Sequence, residues 1–506
     1  MKKVHRLILS CTLVSLALSS ACALNRRADS EVSDLLEKYE RTRMRETRGY
    51  GQLPNQSSVD SSSRGPQPGQ TPTDDRSLAG LIAIALERNP DILAAIDVAR
   101  GMASRVPQAT ALPDPFLSTK TLPEPVRTAE GDNYFVLGVK QKLPVPEKLD
   151  RRGRVALESA RMAMEQLEQT RLRVIGDVKR AYFQLYALDN TISITEENLV
   201  LLRDLIEVTR GQLVAGRGQQ EDVLRSQVEL SNLESKLVEL RQRRITTASF
   251  LNALLDRPHT IRVPTPPEYD VRRVALQVDQ LLRFAAETNP ELKRLKRQIA
   301  RDEHGVGLAK LAYWPDFTIG FEWMQMDPRA AFRPPVNPQT GMRPRTPQMS
   351  EDGSDNWAIT FGFNIPLWFE KIEAGIREAR HKLSASRHQL TSVRNLVTFK
   401  VQDALARVRS FREIANLFAT TIIPQAEQAY EVSRAGYVAG TSDFQFVIDN
   451  WQKWLLFRIQ YYRTLAELER SVADLEQVVG ISLVNAQDQA RSPASEPERS
   501  VPPIED

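Results

Sequence analysis

Cysteine is almost missing. The 506 residues hold two, Cys11 and Cys22, so no disulfide framework can organise the chain. Histidine is scarce as well, at five; His5 lies near the start, while His381 and His388, a heptad apart on an expected helix, read as a solvated stripe before they read as ligands. No glycine loop of the kind that cradles phosphate, no zinc-type spacing and no nucleophile elbow occurs, so an enzyme would have little chemistry to use and no cofactor or metal is expected. No run approaches 18 consecutive apolar residues, so no transmembrane helix is expected either. One-sided charge is also lacking. Of the formal +4, Lys2, Lys3 and Arg6 supply +3 ahead of residue 22, where no acid offsets them. A chain cleaved there keeps about +1, which gives no electrostatic case for nucleic acid.

Those three basic residues precede an apolar stretch from Leu7 to Leu18 and then "LSSAC". That is the pattern of a secretory signal peptide over residues 1–21, too short to span as a helix and ending in small residues. Cys22 leaves two readings open. It resembles a bacterial lipoprotein processing site, where the cysteine is lipidated, although Ser19 stands where such sites usually carry Leu. Ser19 and Ala21 equally suit ordinary signal peptidase, which would leave Cys22 a free thiol. Residues 22–75 read as a polar linker, with "SSVDSSSRGPQPGQTPT" as its flexible part, and 483–506 as a disordered Pro- and acid-rich tail.

Between them the chain repeats itself. "LERNPDI" at Leu86 to Ile92 returns as "AETNPEL" at Ala286 to Leu292; "LPDPF" at Leu112 answers "WPDF" at Trp314; "KLPVPEK" at Lys142 answers "NIPLWFEK" at Asn364; "RGQLVAG" at Arg210 answers "RAGYVAG" at Arg434. The order is kept while the offset moves from 200 and 202 to 222–223 and then 224. Two tandem copies follow, residues 76–270 and 271–482. Within each copy the period changes. Leu81, Ile84, Ala85 and Ile92, and again Leu281, Leu282, Ala285 and Leu292, keep helical spacing. After the Pro-Asp landmark the period becomes two: Phe317, Ile319, Phe321 and Trp323, then Trp357, Ile359, Phe361 and Phe363, alternate with small or polar residues. Copy one does so more weakly, with Phe135, Leu137 and Val139 against Tyr134, Gly138 and Lys140. Each copy therefore offers two short strands.

Long helices come next. No proline occurs between Glu147 and Arg257, and the break is confined to "AGRGQQED"; residues 150 to 212 as one helix would reach roughly 95 Å. Leu230, Leu233, Leu237 and Leu240, and Leu465, Leu468, Val472 and Leu475, carry the 3-4-3 spacing of a coiled-coil seam. In copy two Pro424 is expected to kink or break the helix. The strand alternation fits either a sheet with one dry face or a barrel wall with lipid outside and water within. Four strands cannot close a barrel, so a wall requires several copies of the chain.

Taken in this order, the motifs resemble the bacterial outer-membrane efflux factors, the TolC-type channels, over about residues 76 to 482. The resemblance implies a mostly α fold with a small β part. Two tandem repeats of long coiled-coil helices, with two strands each, would trimerise into a 12-stranded outer-membrane β-barrel continued by a periplasmic α-helical barrel. It also implies an outer-membrane exit duct, partnered by a periplasmic adaptor (membrane fusion protein), an inner-membrane pump and outer-membrane lipid. A periplasmic coiled-coil scaffold without a pore is the rival reading, which explains the helices and leaves the aromatic strands unused.

By the same resemblance the turns around Gly216 and Gly440, with Ala215 and Ala439, lie at the periplasmic tip where the adaptor docks; both glycines also suit plain helix C-caps. Asp222 and Tyr437 match the family's gate positions. Where the family has a basic partner this chain has Ser442, with Arg217 one turn away as the substitute. Asp449 matches a carboxylate of the constriction, where a three-fold ring would select cations; its alternative is a solvated helix face. The family's second acidic position falls on Phe446, with Asp443 nearby. Met324, Met326, Met342 and Met349 crowd the loop between the copy-two strands without the spacing of a soft-metal site.

Overall fold

A computed structural model describes residues 77–128, 131–265, 277–327 and 353–483, with scattered positions between 26 and 41 and between 336 and 342. The expected signal peptide, Cys22, most of the linker, the tail beyond Leu483 and Met349 lie outside the described residues; Leu483, expected to open the disordered tail, is buried in the helical core instead. Copy one runs α1 (Leu78–Arg88), α2 (Pro90–Ala103), α3 (Arg105–Thr110), β1 (Phe116–Thr128), β2 (Gly131–Leu143), α4 (Pro146–Val214) and α5 (Gln220–Leu254). Copy two runs α6 (Val278–Thr288), α7 (Pro290–Lys310), a 3-10 turn (Leu311–Tyr313), β3 (Phe317–Asp327) and β4 (Asn356–Phe363). It ends with α8 (Phe369–Leu417), a π turn (Phe418–Ile422), α9 (Ile423–Ala439) and α10 (Phe444–Val479). The strands exceed the expected length, β1 and β2 having 13 residues each.

The repeated Asn-Pro has a mechanical role. At the α1–α2 junction Asn89 Oδ1 accepts from the backbone N–H of Asp91 and Ile92, at 3.0 and 3.3 Å, while Nδ2 donates to Leu254 O at 2.9 Å. At the α6–α7 junction Asn289 Oδ1 accepts from the Leu292 N–H at 2.9 Å and Nδ2 donates to Val478 O at 2.7 Å. Both side chains are buried. Proline follows because the first helical position needs no N–H donor. Each asparagine thus caps one helix and ties down the end of the long helix that closes its own copy.

α4 is a single helix of 69 residues, about 100 Å long at the α-helical rise. In copy two Pro424 falls in the first turn of α9, where its absent N–H costs least, and the π turn lies directly ahead of it. The expected break is therefore a change of hydrogen-bond period in a continuing helix.

The described residues divide into two compact units, each drawing on both copies: one within residues 100–161 and 297–388, the other within 77–99, 162–296 and 389–483. The first unit holds one antiparallel sheet in the order β1-β2-β3-β4. Its register aligns Leu117, Val139, Phe321 and Ile359 in one row across all four strands, and Leu137, Trp323 and Trp357 in the next. The interleaved rows carry Ser118, Gly138, Glu322 and Ala358, then Lys140, Gly320 and Thr360. One face is thus mainly aliphatic and aromatic, with Phe361 65% and Trp357 61% exposed; the other is mainly small and polar, with Lys140 and Glu322 paired at 3.0 Å, and also carries Phe116, Val136 and Met324. The weaker alternation of copy one, read over residues 134–140, falls on β2, which shifts register against β3 between Asn133 and Phe135; β1 shifts as well, between Thr121 and Val126, where Pro123 and Pro125 remove two donors.

The second unit is helical, and the seams predicted from leucine spacing are in its cores. Leu233 and Leu237 pack with Leu202, Tyr430 and Trp451, while Leu468, Val472 and Leu475 pack with Leu281, Leu292 and Val401. Leu230 lies at the margin of the first core and Leu240 is fully buried. Lys179 and Glu476 form a buried ion pair between α4 and α10.

Candidate functional site

The site predicted at the helix breaks lies within the second unit, where α4 turns into α5 and α9 into α10. Both turns rest on a glycine in the left-handed region, Gly216 at φ 70° and Gly440 at φ 77°, a conformation that costs a Cβ-bearing residue dearly. Gly440 is the C-cap of α9, while Gly216 lies two residues past the end of α4 in a turn whose Arg217 and Gly218 N–H groups both donate to Gln212 O. The helix-cap reading thus holds for Gly440, while Gly216 serves a tight turn just beyond its helix. The small residues Ala215 and Ala439 are exposed beside Val214 and Val438.

Past the first turn, Gln219 caps α5 in a reciprocal box with Asp222, whose Oδ2 accepts from the Gln219 N–H at 3.3 Å. The same oxygen accepts from Tyr437 Oη at 3.3 Å. Asp222 and Tyr437, the two expected gate positions, come from different copies 215 positions apart, and the fold brings them together. Tyr437 is buried, its ring tilted against Phe444 at 5.3 Å between centroids. Burial and then the Asp222 charge push its phenol up to about 12. The proton is thus held on the donor, and the raised value means the bond persists through neutral pH and is lost only as pH climbs from 10 toward 12. A second tie runs parallel to it: Gln212 Nε2 donates to Val438 O at 3.1 Å.

The remaining predicted residues are not joined to this pair. Ser442 packs against Gly436, where an added Cβ would lie 3.0 Å from the Ser442 Cβ. Arg217 is exposed at the turn, and its side chain does not reach Asp222, whose partners here are Gln219 and Tyr437. Asp449 is half-buried on α10 and accepts from Gln445 Nε2, one turn earlier, at 2.7 Å. Asp443 is the N-cap of α10, but its side chain makes no capping hydrogen bond; Phe446 is 59% exposed. Gln212, Gln219 and Gly436 were missed. A polar residue three positions ahead of an acid at a helix start signals the capping box, whereas nothing local marks the Gln212 contact. In the first unit, Met324 and Met326 lie on β3, Met326 buried, while Met342 is exposed.

A family model described as "Outer membrane efflux protein" matches residues 81–256 and 281–481, once over each copy. The cobalt-zinc-cadmium resistance protein CzcC of Cupriavidus metallidurans is 19% identical over 408 residues, which cover 80% of this chain and 90% of that protein. Among solved structures, the outer-membrane channel OprN superposes with a TM-score of 0.67 at 17% identity, covering 81% of this chain and 91% of its own. The open state of the Neisseria gonorrhoeae MtrE outer-membrane channel gives 0.65 at 16% identity, covering 81% and 90%.

Proposed function

This chain belongs to the outer membrane efflux protein family and is an outer-membrane efflux channel, and from that premise we propose that it is the passive exit duct of a tripartite export system. In this reading three copies close a 12-stranded barrel in the outer membrane and continue it as a helical barrel in the periplasm. An adaptor docks on the turns around Gly216 and Gly440, and an inner-membrane pump supplies energy and selects the cargo. The observation that carries the reading is the sheet: a mainly aliphatic and aromatic face, a more polar opposite face and two free edges suit a stave of a lipid-embedded wall. A pore-free scaffold would have no use for that face. The exposed apolar and small residues at the turns favour docking there of another protein's helices.

Within the duct, the Asp222–Tyr437 bond and the Gln212 tie hold the tips of the two copies together, which is what a closed gate requires. Asp449 supplies the constriction's carboxylates, one from each protomer. The test is single-channel conductance of the purified protein in a planar bilayer. Discrete cation-selective steps are expected, with selectivity weakened in Asp449→Ala; unchanged selectivity would remove Asp449 from the filter.

Tyr437→Phe keeps the ring packing and deletes only the bond, worth roughly 1–2 kcal/mol for a charged acceptor at this length. Open probability is expected to rise about tenfold, with Asp222→Asn giving a smaller rise and the double variant adding little to Tyr437→Phe. Additive effects in the double variant would show that the two residues act separately.

A further inference from the structure

The repeat contains one joint twice, and the chain fills it once. Inside the chain β2, the second strand of copy one, pairs with β3, the first strand of copy two. Where these strands meet the helices, Lys148 Nζ donates to Asp316 Oδ1 and to Trp314 O, both at 2.7 Å. The two side chains are 9% and 13% exposed. Lys148 is the third residue of α4, and Lys371 is the third residue of α8, reached through the same Glu-Lys. Asp316 of "WPDF" has its counterpart in Asp114 of "LPDPF". Yet Lys371 and Asp114 are both exposed; Lys371 follows β4 and Asp114 precedes β1, the two edge strands of the sheet.

We infer that Lys371 of one chain pairs with Asp114 of a second copy, at a joint where β4 of the first lies antiparallel against β1 of the second. The inference rests on the trimer proposed above and supplies its register. β1 maps onto β3 at an offset of 202, β2 onto β4 at 222, and the two lysines onto each other at 223. The observed pairs Gln141 with Ile319 and Lys140 with Gly320 then become Phe363 opposite Leu117, and Gly362 opposite Ser118, of the neighbouring copy.

Three features make the mapping more than arithmetic. Side-chain parity survives it: Phe363 and Leu117 share the apolar face, Gly362 and Ser118 the polar one. The mapped ladder reaches Ile359 opposite Thr121, two positions before Pro123, so it uses the part of β1 that still has its N–H donors. The mapping is also selective. The pair Lys140–Glu322 becomes Gly362 and Lys120, which cannot attract, so the ion pair that the duplication carries to the joint is Lys371 with Asp114.

The test uses the full chain in the outer membrane. With a mild oxidant, Ser118→Cys combined with Gly362→Cys is expected to give disulfide-linked dimers and trimers on a non-reducing gel, with single-cysteine variants as background. Phe116→Cys combined with Thr360→Cys lies four positions out of register, about 13 Å apart, and is expected to remain monomeric. Cross-linking by the second pair alone would overturn the register. A native gel of the same membranes separates the two levels: no trimer would overturn the oligomer itself, whereas trimers that neither pair cross-links would overturn only the joint. For the ion pair, Lys371→Asp or Asp114→Lys alone is expected to lower by several degrees the temperature at which trimers dissociate, and the double swap to restore most of the loss. A double swap as damaging as the two single changes combined would overturn the pairing.

Discussion

Phe361→Arg is expected to abolish accumulation of the protein in the outer membrane, while Thr360→Arg, its neighbour on the same strand, leaves it nearly normal. Phe361 lies in the row with Ile319 on the apolar face; Thr360 pairs with Gly320 on the polar face. A cation on the lipid side near the bilayer midplane costs about 2–4 kcal/mol, and a trimer carries it three times, for roughly 6–12 kcal/mol in all. The same cation on the inner side meets water and long-range partners such as Glu322. Density-gradient fractionation of membranes with trimer detection on gels reads the difference. Equal loss from both variants would mean that the two faces of the sheet see the same environment, and the barrel assignment would fail.

Asn289→Ala is expected to destabilise the helical unit by about 2–4 kcal/mol. The loss of the cap on α7 contributes about 1 kcal/mol, and the stranded carbonyl of Val478 adds about 1–3 kcal/mol because that group is turned toward the protein interior. Asn289→Asp separates these parts: a carboxylate still accepts from the Leu292 N–H, but it cannot donate to Val478 O. An intermediate loss is therefore expected from the Asp variant, and Asn89→Ala is expected to repeat the effect in copy one. Because the two asparagines share no partner, the double variant is expected to lose close to the sum. Thermal unfolding and limited proteolysis of the purified protein would measure it. An Asp variant as stable as the native chain would show that only the cap matters.

The duplication was legible because its landmarks are residues with narrow structural duties. Asn-Pro caps and starts a helix, and Val-Ala-Gly ends one, so the letters recur wherever the geometry does. Phe317 to Trp323 and Trp357 to Phe363 were legible because a strand facing two media must alternate. β1 was not, since its alternation is interrupted by the register shift at Pro123 and Pro125. The Lys148–Asp316 pair spans 168 positions and involves two residue types common on any surface, so only the fold brings them together. At the turns, the Asp222–Tyr437 contact followed from the resemblance and not from local pattern. The Gln212 tie had no signal in either, because a side chain reaching a backbone carbonyl constrains the residue at one end only.

The π turn at Phe418–Ile422 also accounts for a slip in the numbering of the repeat. From Lys148 to Arg210 the first copy is one residue shorter than the second copy from Lys371 to Arg434. In an unbroken α-helix an inserted residue rotates everything beyond it by about 100°, swinging core positions toward solvent. A π turn takes up one extra residue per turn and returns the helix to its former phase. Tyr430 and Tyr437 therefore still point inward, into the core they share with Trp451, although the chain leading to them has gained a residue. The insertion is absorbed at the level of the backbone, and the duplicated faces stay in step.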